Sequence, residues 1–152
     1  MALEIRNTGH TDFTFEAALH TYLAVSDIHH VRLRGLENTT YIDKVAGGDR
    51  KREGPAPLAL TGETDRSYVD TDSTCIVDDP GWRRRIVVAK SGSRSTVVWN
   101  PWLDKARSMA DLGVTGWTGM LCVETANAAG DARMLAPGES HVLEATIGVE
   151  QD

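Results

Sequence analysis

The chain has 152 residues, a formal net charge of −6, 41% hydrophobic residues and 25% charged residues. That length suffices for one domain, read here as residues 1–152, with a real apolar core. The acidic balance argues against a nucleic-acid partner, no apolar run approaches the roughly 20 residues of a membrane helix, and the opening "MALEIRNTGHTD" lacks the apolar stretch of a secretory signal, so the expected compartment is the cytoplasm.

Along the chain, "LEIRN" alternates apolar and polar residues and ends at the turn cluster "NTGHTD". "FTFEAALHTYLAV" follows. Its Glu, Ala and Leu favour helix, but Phe13, Thr14, Phe15, Thr21, Tyr22 and Val25 favour strand. Period two sorts it cleanly: Phe13, Phe15, Ala17, Leu19, Leu23 and Val25 fall on one face, joined by Thr21, while Glu16, His20 and Tyr22 fall on the other. The segment is therefore read as a strand. "HHVRLRG" puts Val31 and Leu33 opposite Arg32 and Arg34, and "TTYIDKVAGGD" is a short strand closing in Gly-Gly. "KREGPAPLAL" is a loop with two prolines that leads into a strand near residues 58–61. "STCIVDDPGW" reads as strand then turn, and "RRIVVAKSGSRSTVVWN" as two β-branched runs around a hairpin signal, "SGS". "PWLDKARSMADLG" is the one helical piece, with Pro101 early and Gly113 at its end. "GMLCVETAN" and "ESHVLEATIGVE" are the last strands. Many short strands with one short helix predict an all-β sandwich or barrel.

Cys75 and Cys122 are far apart and show no metal-ligand spacing, so free buried thiols in a reducing compartment are expected, with no zinc site. The basic runs "RRR" at 83–85 and "DRKRE" at 49–53 read as solvated strand ends or loops, with an anion contact as the other reading.

His20 shares its predicted face with polar Glu16 and Tyr22, as expected of a polar surface and not of a core histidine. A histidine that moves protons needs a second proton carrier. Glu124 follows the apolar run Met120, Leu121, Cys122 and Val123; it is either a partly desolvated base or a strand-end glutamate facing water. "GETDRSY" holds Asp65 and Arg66, read either as a local ion pair or as offering a carboxylate that accepts a hydrogen bond from a sugar hydroxyl. In "VVWNPW", Trp99 and Trp102 are either a packed corner or faces for sugar C–H groups.

Taken together, "FEAALHTYLAVSDI", "VRLRGL", "YIDK", "GETDRSY", "VVWNPW", "MADLG", "MLCVETAN" and "LAPGESHVL" resemble the glucose-6-phosphate 1-epimerases of the aldose 1-epimerase superfamily, in the same order over nearly the whole chain. The resemblance implies a galactose-mutarotase-like β-sandwich that interconverts the α and β anomers of a hexose 6-phosphate, with no cofactor or metal. It makes His20 and Glu124 the catalytic pair and Asp65 a substrate contact, with Tyr22, Arg66 and Trp99 as further candidate contacts. Leu23 stands where the family often has Phe, and Thr125 where Pro is common. The resemblance covers only the family's C-terminal part; arginines that grip the substrate phosphate belong, by resemblance, to the other part. Arg32, Arg34 and Arg83–Arg85 are the alternatives this chain offers. The sheets are expected to have unpaired edges and an exposed apolar face, closed by self-association as a homo-oligomer or marking a partial gene product. A non-catalytic carbohydrate-binding or regulatory sandwich is the competing expectation.

Overall fold

The alternating stretches become fourteen short strands in residues 1–151, the part of the chain that the computed structural model describes. In chain order they are β1 Ala2–Arg6, β2 Phe13–Phe15, β3 Ala17–Leu19, β4 Tyr22–Ala24, β5 Arg32–Arg34, β6 Thr40–Asp43, β7 Asp49–Arg52, β8 Thr64–Tyr68, β9 Cys75–Asp79, β10 Arg84–Ser91, β11 Ser95–Asn100, β12 Met120–Asn127, β13 Arg133–Leu135 and β14 Ser140–Gln151. A single short α-helix among the described residues, α1, spans Trp102–Ala106. None of the described helices is long and apolar enough to cross a membrane.

The strands form two main antiparallel sheets. One has five strands in the order β1-β14-β10-β9-β5; the other has seven, β3-β12-β11-β8-β6-β7, with β4 also on β12. The small pair β13-β2 stands apart. One core joins the main sheets: Leu33, Val77, Ile86 and Val88 from the first pack with Leu23, Tyr68, Val98, Leu121 and Val123 from the second. Of the sandwich and the barrel that the alternation allows, the chain forms the sandwich. The free edges differ in character. β7, "DRKR", is fully exposed and charged, which discourages pairing with another chain. At the other side, β1 and β14 leave Leu3, Val142, Ile147 and Val149 exposed.

β12 has no exposed residue. All eight of its side chains are buried, because β11 flanks it on one side, β3 and β4 on the other, and both of its faces are covered. Leu121 and Val123 enter the sandwich core; Met120 and Cys122 form a second apolar cluster with Trp99, closed by Met109 and Leu112.

Four local expectations are corrected. The stretch 13–25 keeps its predicted alternation, with Leu23 and Val25 buried and His20 and Tyr22 exposed, but it is three strands, and β2 leaves the large sheet to pair with β13. Residues 58–61 make only an isolated bridge, Leu58 to Leu33. The helix is five residues long, since the turns after Ala106 carry Met109 and Leu112 onto the Trp99 cluster. Finally, "SGS" is not a hairpin. β10 pairs with β9 and β14, β11 pairs with β8 and β12, and the turn at Gly92 takes the chain from one sheet to the other. Lys90 ties this corner, its ammonium donating to the Ser95 carbonyl at 2.8 Å and the Thr96 hydroxyl at 2.8 Å.

Gly92 has φ +69°, and a Cβ there would lie 1.9 Å from the Val142 carbonyl oxygen. Gly47 has φ +75° but open space around it. We therefore expect Gly92→Ala to destabilise the protein by more than about 1 kcal/mol, and by more than Gly47→Ala, in urea denaturation. Equal costs would show that the crowding at this corner is relieved.

Candidate active site

The site follows from strand register. β3 sets Leu19 opposite Thr125, and β4 sets Tyr22 opposite Cys122. These two pairings share one register on β12, so the residues between them, His20 and Thr21, lie opposite Glu124 and Val123. Directly opposed side chains on one sheet face are close enough to interact. The His20 Nε2 is 3.2 Å from the Glu124 Oε1, although the residues are 104 positions apart in the chain.

The two members are held differently. The Glu124 side chain is 5% exposed and that of His20 is 49% exposed. Burial pushes the Glu124 carboxyl up from the ordinary carboxylate range to about 7; Lys44 pulls it down and Asp65 pushes it further up. A carboxylate poised there is a competent general base near neutrality. Tyr22 stacks on the His20 ring with centroids 4.9 Å apart, and Trp99 meets that ring edge-on at 5.9 Å.

Register also assembles the rest of the face. Val97 lies beside Glu124, Trp99 beside Cys122, and Asp65 beside Trp99. The result is a hollow of about 230 Å³ lined by Ala18, His20, Lys44, Asp65, Val97, Trp99, Glu124 and Ala128. Asp65 is paired with the Lys44 ammonium at 3.4 Å. The hollow thus offers an acid–base pair, an aromatic wall, a carboxylate and an ammonium.

Of the residues singled out from sequence, His20, Glu124, Asp65, Tyr22 and Trp99 come together here. Arg66 does not. It points to the opposite face from its neighbour Asp65, bonds Glu53 at 2.7 Å and lies over the Tyr41 ring. Trp102 is a packed corner against Trp117, and Asn100 holds that corner through the Trp117 and Met120 carbonyls. The proposed substitutes for a phosphate grip also lie elsewhere. Arg32, Arg34, Arg84 and Arg85 belong to the five-stranded sheet, where Arg34 and Arg85 pair with Asp78 and Arg84 with Asp79. Lys44 and Cys122 were missed. Period two on β12 places Cys122 on the face of Glu124; Lys44 needs the cross-strand register, which no local pattern reveals.

Three groups of metal-ligand type meet at this point. A ring nitrogen of His20, the Cys122 sulfur and a Glu124 oxygen all lie within 4.8 Å of one another. Both cysteines are free and buried, as expected. Burial, with the Glu124 charge adding to it, pushes the Cys122 thiol up, which keeps it protonated.

Residues 1–148 match the protein family described as Aldose 1-epimerase. The chain belongs to this family. It is 40% identical over 138 residues to a Cenchrus ciliaris protein named "Putative glucose-6-phosphate 1-epimerase", covering 89% of this chain and 41% of that one. A protein of the same name from Escherichia coli K12 is 30% identical over 141 residues, covering 93% of this chain and 48% of that one. Among solved structures, a Salmonella typhimurium "putative mutarotase" superposes with a TM-score of 0.87 at 28% identity, over 99% of this chain and 50% of that one. The fold is thus that of the galactose mutarotase-like epimerases, and the chain spans about half the length of the relatives it matches.

In this aldose 1-epimerase family member, the position of Glu124 has a thermodynamic signature. Between its ordinary value and about 7, the folded state holds a proton that the unfolded chain has released. Stability therefore falls as pH rises through that window. Glu124→Gln removes this slope, so its stability relative to the parent should increase from pH 5 to pH 7 in denaturation series at the two pH values. A difference that stays constant would place the carboxyl at an ordinary value.

Proposed function

We propose that this chain interconverts the α and β anomers of an aldohexose, with a hexose 6-phosphate such as glucose 6-phosphate as substrate. The observation that carries the reading is the His20–Glu124 pair, one member buried and pushed to about 7, the other open to solvent, at the wall of a sugar-sized hollow. Mutarotation requires only proton transfers. Glu124 takes the proton from the anomeric hydroxyl while protonated His20 delivers one to the ring oxygen. The bond between C1 and the ring oxygen breaks, and the anomeric oxygen becomes the aldehyde carbonyl. Rotation about C1–C2 then presents the other face of that carbonyl. Closure reverses both transfers: the hydroxyl that had been the ring oxygen returns its proton to His20 and attacks C1, and Glu124 gives its proton to the new anomeric oxygen. Each residue ends in the state in which it began, so neither needs resetting between turnovers. Trp99 and Tyr22 supply flat apolar surface suited to sugar C–H groups, and Asp65 accepts hydroxyl hydrogens.

The phosphate in the substrate is supported by the names of the relatives from Cenchrus ciliaris and Escherichia coli. On the protein itself, Lys44 faces the hollow, while Arg50 and Arg94 border a neighbouring hollow of about 230 Å³.

Saturation-transfer NMR of glucose 6-phosphate anomers tests the proposal, with unphosphorylated glucose in parallel. Exchange faster than the uncatalysed rate is expected, falling about a hundred- to ten-thousand-fold in His20→Ala and in Glu124→Gln. Faster exchange of glucose than of its phosphate would overturn the substrate class. Binding without exchange would favour the carbohydrate-binding sandwich. The rate should also rise with pH as Glu124 loses its proton around 7, and this limb should be absent from any residual exchange by Glu124→Gln.

A further inference from the structure

The acid–base reading leaves Cys122 unused, although its sulfur lies 3.8 Å from the His20 Nδ1. Cys122 and Glu124 are two residues apart on β12, so both side chains leave the same face, and both residues are essentially buried, at 0% and 4% exposure. Their positions are fixed by the strand. His20 spans them: one ring nitrogen faces the sulfur, and the other faces the carboxylate. Imidazole, thiol and carboxylate are the three ligand types that zinc combines, at metal–ligand distances of roughly 2.0–2.3 Å. Ligand atoms on a tetrahedral ion of that size are roughly 3.3–3.8 Å apart, and the three groups here lie within 4.8 Å of one another. His20, with its side chain half exposed, is the member free to adjust. His20 and Glu124 also line the hollow, which has room for water as a further ligand.

We propose that Cys122 makes the His20–Glu124 pair a binding site for a thiophilic divalent cation, of which Zn2+ is the representative. Coordination breaks the Cys122 S–H bond and forms a metal–sulfur bond, and the proton goes to solvent. Any proton shared by His20 and Glu124 is displaced in the same way. The cation brings the positive charge that a buried thiolate beside a carboxylate requires. Mg2+ and Ca2+ do not qualify, because they prefer all-oxygen shells. The metal would take both proton carriers, so it would act as an inhibitor of the pair and not as its cofactor. The site is a property of this chain's side chains and holds whether or not the chain turns over a sugar.

Cobalt is the probe, because thiolate-bound Co2+ has a charge-transfer band in the near ultraviolet. Titration of the whole chain with Co2+ should give that band with an endpoint at one equivalent, and Zn2+ should bleach it while Mg2+ should not. Cys75→Ser should keep the band and Cys122→Ser should abolish it. His20→Ala alters a half-exposed side chain and should fold; it should weaken the apparent Co2+ affinity by about tenfold or more. Absence of the band from the parent protein would overturn the proposal. So would a band that survives Cys122→Ser, or one that His20→Ala leaves at full affinity.

Discussion

A carboxylate kept out of water by its own strand is the constraint on which the site depends. Left in solvent, Glu124 would be ionised well below neutrality and would be a weak base. On β12 it has Val97 on one side and the His20 edge on the other, with the Trp99–Met120–Cys122 cluster further along the same face. No side chain on that strand reaches solvent freely. Desolvation raises the carboxyl to about 7, and the adjacent Asp65 charge adds to it. Lys44 limits the rise, so one ion pair at the wall of the hollow, Lys44–Asp65, moderates the base as well as offering polar groups to a ligand.

The imidazole is supplied differently. It lies between two three-residue strands, at a point where the backbone leaves the regular ladder for two residues and rejoins it in the same register. The side chain therefore keeps its place opposite Glu124 while remaining half exposed. Stacking on Tyr22 and edge contact with Trp99 restrict its orientation without burying it. One member of the pair is thus a product of the core and the other a product of an edge.

What could be read from the sequence was what period two controls. The alternation in 13–25 separated Leu23 and Val25 from His20 and Tyr22, whereas the apolar run before Glu124 left a desolvated base and a solvent-facing strand end both open. What could not be read depends on contacts between distant strands. The "SGS" turn has the composition of a hairpin, yet it leads to the other sheet, where the strand pairings and the close approach of Gly92 to the Val142 backbone hold it. Asp65 and Arg66 are neighbours in sequence, yet pleating sends them to opposite faces, so a motif that contains both contributes only one to the hollow. Lys44 reaches Asp65 through the pairing of β6 and β8, which no local pattern encodes. The resemblance to a known family named His20 and Glu124, and the register of β3 and β4 on β12 explains physically why those two side chains meet.

The full burial of β12 limits how this surface can diversify. Leu121 and Val123 belong to the sandwich interior, Met120 and Cys122 to the Trp99 cluster and Glu124 to the wall of the hollow, so nearly any replacement disturbs close packing on one side or the other. Lys44, Asp65 and Tyr22 sit on flanking strands or at their ends and carry no comparable packing duty. Changes of ligand preference can therefore accumulate around the margin of the hollow while the buried carboxylate at its back stays as it is.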